Sequence, residues 1–117
     1  MKHLSRNQHD NAESFDTLTA RLVETVLGWR TCPDRFITSG RAWIPRWRFR
    51  PFDQFADALH LLGRVRGNFQ LIRDGSGSFT AKVQIDDRHH GEASGEFEAQ
   101  TVTVAIVRAL GFEVGGC

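Results

Sequence analysis

The chain has 117 residues and a mass of 13.2 kDa, with 40% apolar and 25% charged residues, the composition of an ordinary globular protein with length enough for one core. Its longest apolar run is too short to cross a bilayer, and the opening residues lack the apolar stretch of a secretory signal, so the expected location is the cytoplasm and no membrane partner is expected. The net charge of +1 conceals a division: residues 29–66 carry eight arginines against three aspartates, whereas residues 74–117 carry three basic residues against seven acidic ones. Such asymmetry can steer an anionic partner to one face, or let the two halves complement each other within the fold or between copies. Cys32 and Cys117 show no CxxC spacing and read as two reduced thiols.

In chain order, residues 1–13 are polar and aperiodic and read as a flexible arm, followed by one domain over 14–114 and a Gly-Gly-Cys tail at 115–117. From Ser14, an expected N-cap, Phe15, Leu18, Leu22 and Val26 recur on one helical face, widened by Val23 and Leu27, and Gly28 suits a left-handed C-terminal position. Residues 29–51 lack a period and are punctuated by Pro33, Gly40, Pro45 and Pro51, so at most one short strand is expected, at 42–44. A second helix follows, with Phe52, Phe55, Leu59 and Leu62 on its apolar face and Gly63 at its end.

The segment 68–73 reads as a strand and the Asp74-to-Gly77 stretch as a turn. Next comes a strict alternation, with Phe79, Ala81, Val83 and Ile85 expected inside and Thr80, Lys82 and Gln84 outside. After a turn at 86–91 the alternation resumes, placing Ala93, Gly95 and Phe97 on the inner face and Glu92, Ser94, Glu96 and Glu98 on the other. Residues 99–110 are rich in β-branched side chains, which favour strands. Their spacing decides for a helix, with a stripe of Val102, Ala105, Ile106, Ala109 and Leu110 and a C-cap at Gly111. The fold class is therefore α+β: three helices with a small antiparallel sheet of three or four strands, an α-β-β-β-α core.

The best functional candidate is the stretch around 41–50, in which Arg41, Arg46, Arg48 and Arg50 alternate with Trp43, Trp47 and Phe49. Guanidinium groups among aromatic rings can stack bases, pair phosphates or anchor a protein partner. The same alternation describes a strand whose aromatic residues enter the core while its arginines face water. Arg41, Trp43, Arg46, Trp47, Arg48 and Arg50 are accordingly the expected ligand- or partner-binding residues. No catalytic residue, metal ligand set or cofactor is expected. His89 and His90 are adjacent and sit in a turn shaped by Asp86 and Asp87. Cys32 has no base beside it, His60 reads as a helix-surface residue, and the carboxylates of Glu92, Glu96 and Glu98 read as an exposed face opposite Lys82.

Several pieces in this order resemble the phage ABA sandwich domain, a family of small phage and prophage proteins. They are Leu27-Gly28-Trp29, the AWIP stretch at 42–45 with Arg48 to Phe52 after it, Asp57-Ala58-Leu59, Phe79 to Val83, Gly91 to Gly95, and Thr101 to Gly111. The resemblance covers roughly residues 15–112 and implies a three-layer α/β/α sandwich in a phage setting, hence the host cytoplasm; it transfers no activity or site residue. The polar outer face of the strands instead suggests a sheet covered mainly on one side. A non-enzymatic binding role follows as the expected function, for a protein or a small anionic ligand, with a homo-oligomer as a further expectation. The order from 52 to 111 is also similar to the double-stranded RNA-binding domain, which makes nucleic-acid binding the alternative. That family places lysines at the start of its last helix; here stand Glu96, Glu98 and Gln100, which repel phosphate and argue against duplex RNA.

Overall fold

The computed structural model describes residues 15–111, so the proposed arm, the Ser14 cap and the tail lie outside the described residues. Helix α1 occupies residues 15–22 and continues as a π-helical turn over Val23–Leu27. Its stripe is the expected one, with Leu18, Leu22, Val23 and Leu27 buried and Phe15 and Val26 half-buried. Gly28, at φ 73°, ends it in the left-handed conformation that glycine adopts without steric cost.

The segment expected to hold at most one strand instead folds into a sheet of three: β1 Arg30–Thr31, β2 Arg35–Ser39 and β3 Ala42–Pro45, antiparallel in the order β1-β2-β3. Phe36 lies opposite Thr31 and Ile44, and it is the one fully buried side chain of this sheet. With so few inward positions on strands of two to five residues, no period-2 signal accumulates.

A 3₁₀ turn at Arg46–Arg48 and a tight turn through Pro51 lead into α2, Phe55–Val65. The helix does not stop at Gly63. Its buried positions are Ala58 and Leu61, flanked by half-buried Phe55, Leu62 and Val65, while Leu59 is 43% exposed. It ends where Arg66 takes φ 61° and Gly67 follows. A Cβ on Gly67 would stand 2.7 Å from the Gln84 carbonyl oxygen, so the close approach of β5 determines where this glycine falls.

The remaining strands, β4 Asn68–Arg73, β5 Phe79–Gln84 and β6 His90–Gly95, form a second antiparallel sheet in the order β4-β5-β6. Leu71, Ala81 and Ala93 share a rank across it, as do Phe69, Val83 and Gly91. The expected inner face is present, with Ala81, Val83 and Ala93 buried and Phe79 and Ile85 half-buried; of the residues expected outside, Lys82 and Gln84 are exposed and Thr80 is half-buried. Phe97 departs from it, because the strand ends at Gly95 and the chain turns away; Phe97 precedes α3 and is 69% exposed. Glu96 and Glu98 leave the sheet with it, so Glu92 alone of the three carboxylates lies on the strand, opposite Lys82.

The turn between β5 and β6 is built as expected, with an Asp86 carboxylate oxygen accepting from the backbone N–H groups of Arg88 and His89 at 2.8 and 2.9 Å and from the His89 ring at 2.8 Å. The His89 hydrogen bond, followed by that of the Arg88 amide, holds the Asp86 carboxyl below its usual range.

Helix α3, Glu98–Leu110, ends at Gly111 with φ 85°. It is buried nearly all round: Ala99, every residue from Thr101 to Val107, and Ala109. One side packs on β5 and β6, the other meets α2. Burial on every side, where branched side chains pack tightly, is the physical reason that a sequence of strand-forming residues is held as a helix. The contact with β6 is so close that a Cβ on Gly91 would overlap the backbone of Ala105 and Ala109.

Two substitutions test this packing. Val83→Asp places a charge at a position 1% exposed and is expected to abolish cooperative folding, since the cost of several kcal/mol approaches the stability of a small domain. Gly91→Ala is expected to lower the unfolding free energy by roughly 1–3 kcal/mol or more in urea titration, because α3 must lift from the sheet.

Candidate functional site

The predicted binding residues divide into two places. Arg41 and Trp43 belong to the β2–β3 hairpin, where Trp43 stands opposite Ile37 on the outer face of the first sheet, 51% exposed. Arg30 faces Ile37 from β1, and the Arg35 guanidinium lies 4.4 Å from the centre of the Trp43 ring. Arg35 is oriented by its neighbour Asp34, which accepts from Nη2 at 2.9 Å and from Nε at 3.2 Å. That paired hydrogen bond lowers the Asp34 pKa and raises that of Arg35. Arg35 is thus a member of the surface that inspection of residues 41–50 alone does not include.

Arg46, Trp47 and Arg50 gather beside an open cavity of about 380 Å3. Its apolar wall is formed by Phe15 and Phe52, which stack at 4.4 Å, together with Phe36 and Phe49. Behind the wall, Trp29 packs on Phe49 at 5.2 Å and on Phe36 at 6.1 Å, and the His60 ring meets both Trp29 and Phe49 edge-on. His60 therefore acts as packing for this aromatic cluster. Among the described residues no hydrogen bond joins its ring to Cys32, whose backbone meets Arg35 and Arg46.

The two arginines at the cavity are compensated. Arg46 pairs with Asp16 at 3.0 Å, lies over the Phe36 ring at 5.3 Å and is mostly covered; Arg50 pairs with Asp53 at 2.7 Å. By contrast, Arg41 and Arg48 are exposed and have no ion-pair partner among the described residues. Among those residues no ion pair joins the basic stretch 29–66 to the acidic stretch from 74 onward; the arginines that pair do so with aspartates of α1 or of their own stretch.

The idea that all three aromatic residues of the segment enter the core is corrected here. Phe49 does, at 4% exposure, but Trp47 is 71% exposed and Trp43 is half outside. The cause is the 3₁₀ turn at Arg46–Arg48, which breaks the alternation and turns Trp47 outward just before Phe49 turns in.

No group of three or more His, Cys, Asp or Glu side chains able to hold a metal occurs among the described residues. None of their helices is long and apolar enough to cross a membrane. No family model and no curated protein matches the sequence. Among solved structures, the chain is similar to the 2.0 Å crystal structure of a phage protein from Bacillus cereus ATCC 14579, with a TM-score of 0.66 over 85% of this chain and 86% of that one. The two share 11% identity, so the likeness is one of fold.

Exposure predicts opposite consequences for neighbouring aromatic residues. Trp47→Ala is expected to change the unfolding free energy by no more than about 0.5 kcal/mol, and Trp43→Ala by about 1 kcal/mol through loss of the Arg35 stack. Phe49→Ala should cost about 3–5 kcal/mol. Equilibrium denaturation of the three variants measures all of these.

Proposed function

We propose that this chain is a non-catalytic binding module of phage type, which docks a protein partner through the exposed side chains of two neighbouring stretches of the sequence, Arg35, Arg41 and Trp43 on the β2–β3 hairpin of the first sheet and Trp47 and Arg48 on the 3₁₀ turn that follows it. The observation that carries this reading is the exposure of two tryptophans, 51% and 71%, in the same segment as Arg41 and Arg48, which have no ion-pair partner among the described residues. Tryptophan and arginine dominate interface hot spots, because each buries a large rigid area and a planar donor group on docking. A folded chain that leaves two large rings in water while a third arginine is already stacked on one of them offers a preformed contact. The shared fold with a phage protein supports the phage setting.

A small anion is the weaker ligand for the cavity, since Arg46 and Arg50 already meet carboxylates of Asp16 and Asp53 and the bound charge would have to displace them. Duplex RNA remains a second reading because α2, the β4-β5-β6 meander and α3 reproduce the helix, three strands and helix of that class. The carboxylates of Glu96 and Glu98 at the start of α3 oppose it.

The test combines Arg41→Ser, Arg48→Ser and Trp47→Ala in one protein, leaving the paired arginines in place. Its melting temperature should stay near that of the wild type, and it should lose the partner that immobilised wild-type protein retains from phage-infected cells. Retention at wild-type affinity would show the segment to be structural. A gel shift of duplex RNA that disappears steeply with added salt would favour the second reading instead.

A further inference from the structure

The two edges of the second sheet are treated differently. In an antiparallel pair, residues alternate between pointing their N–H and C=O toward the partner strand and away from it. Asp74 donates to the Ser78 carbonyl at 2.9 Å, and these two residues continue the register of β4 with β5. Asn68, Gln70 and Ile72 therefore face β5, and Phe69, Leu71 and Arg73 direct their N–H and C=O groups to the open edge. At the opposite edge, Ile85 donates to His89 at 2.8 Å, which by the same alternation turns His90, Glu92 and Ser94 outward from β6. That edge is blocked, since the Arg108 guanidinium donates to the Glu92 carbonyl at 2.7 Å and a carboxylate side chain stands at the same residue.

Among the described residues, no such protection is present on β4. It is six residues long, contains no proline or acidic residue, and all its positions except half-buried Leu71 are exposed, including Phe69 at 39% and Ile72 at 42%. Helix α3 lies over β5 and β6, which leaves the inner side of β4 incompletely covered. A six-residue edge with a single charge, at its end, and exposed apolar side chains is an arrangement that proteins avoid unless something pairs with it.

We propose that β4 is a homodimer interface, in which the edges of two copies pair antiparallel about a two-fold axis at Leu71 and join their sheets into one of six strands. The alternation requires it: only odd-numbered residues offer outward hydrogen bonds, so odd must face odd. Centring on Leu71 satisfies all the outward groups of Phe69, Leu71 and Arg73, which makes six hydrogen bonds across the axis. It also keeps both α3 helices on the same face of the joined sheet. On that face Leu71 meets its own copy, and Phe69 meets Arg73 of the other chain, a ring against a guanidinium stem. On the outer face Gln70 meets Ile72. Arg73, the only charge in the strand, thus faces no like charge. The strand is complementary to itself, which an isologous two-fold contact demands.

Sedimentation of the wild-type chain over micromolar to millimolar concentration should show a reversible passage from 13.2 kDa to twice that mass. Hydrogen exchange read by NMR should show the amides of Phe69, Leu71 and Arg73 becoming protected in step with the dimer, while those of Gln70 and Ile72 are protected throughout. Phe69→Lys sets lysine opposite arginine and should raise the dissociation constant about tenfold or more. Phe69→Glu removes the same ring but creates an opposite-charge pair and should leave the dimer largely intact, and Phe69→Lys with Arg73→Glu should restore it. A chain that stays monomeric at all concentrations overturns the proposal. So does a dimer indifferent to the sign of the charge at 69, or protection of the odd amides in a monomer, which would assign the edge to a segment of the same chain.

Discussion

Thr103 lies in the middle of α3 with no solvent exposure, and its hydroxyl donates at 2.6 Å to the carbonyl of Pro51, fifty-two residues earlier in the chain. A threonine inside a helix ordinarily bonds to the carbonyl four residues back, as Thr101 does to Phe97 at 2.7 Å. Thr103 instead reaches across to the turn that precedes α2. Pro51 is itself fully buried, and the residues on either side of the turn, Phe49 and Phe52, are 4% and 6% exposed. The chain between β3 and α2 is thereby attached to the central helix at one point and to the aromatic cluster at two. Arg46, Trp47, Arg48 and Arg50 are carried on that attached stretch, so the arrangement of this part of the candidate site follows from where α3 stands.

The position of α3 follows in turn from the second sheet. Gly91 lets the helix backbone approach β6 at Ala105 and Ala109 to a distance that no Cβ permits, and Ala81, Val83 and Ala93 present a shallow floor that shares one buried core with Val102, Ala105 and Ile106. Small residues on both elements, Gly91 on the sheet and Ala105 and Ala109 on the helix, bring the two backbones close. Among the described residues no helix lies over the outer face of the same sheet, with Thr80, Lys82, Gln84, Glu92 and Ser94; the Thr80 and Ser94 hydroxyls meet there at 3.1 Å. A sheet covered mainly on one side is the arrangement that its alternation indicates.

How much of this could be read from residues alone depended on how many times a pattern was repeated. The β5 alternation runs through seven residues from Phe79 to Ile85, and its register emerged correctly. The spacing of α3 outweighs the strand preference of its valines and indicates a helix, although the single stripe it describes falls short of the burial on nearly every side. The first sheet was missed because its one buried residue, Phe36, sits on strands too short to show a period. Phe97 continued the β6 alternation on paper, but the strand had already ended at Gly95, and nothing in a periodic pattern records where a chain leaves a sheet. Spacing counted from Phe52 puts Leu59 on the core face of α2, but Phe52 lies before the helix begins. At the candidate site, Arg46 and Arg50 were legible as a basic pair with aromatic residues between them. Their neutralisation by Asp16 and Asp53 was less so, since Asp16 comes from a helix thirty residues earlier.

Isosteric replacement of Thr103 by valine removes the hydroxyl while keeping the volume, and equilibrium unfolding of that variant tests most directly whether α3 anchors the Arg/Trp stretch from behind. The Pro51 carbonyl would be left buried without a donor, and the unfolding free energy should fall by about 1–3 kcal/mol. A Thr103→Val protein as stable as the wild type, or more so, would show that the carbonyl finds water or another donor. The stretch would then not be pinned to α3 through this bond.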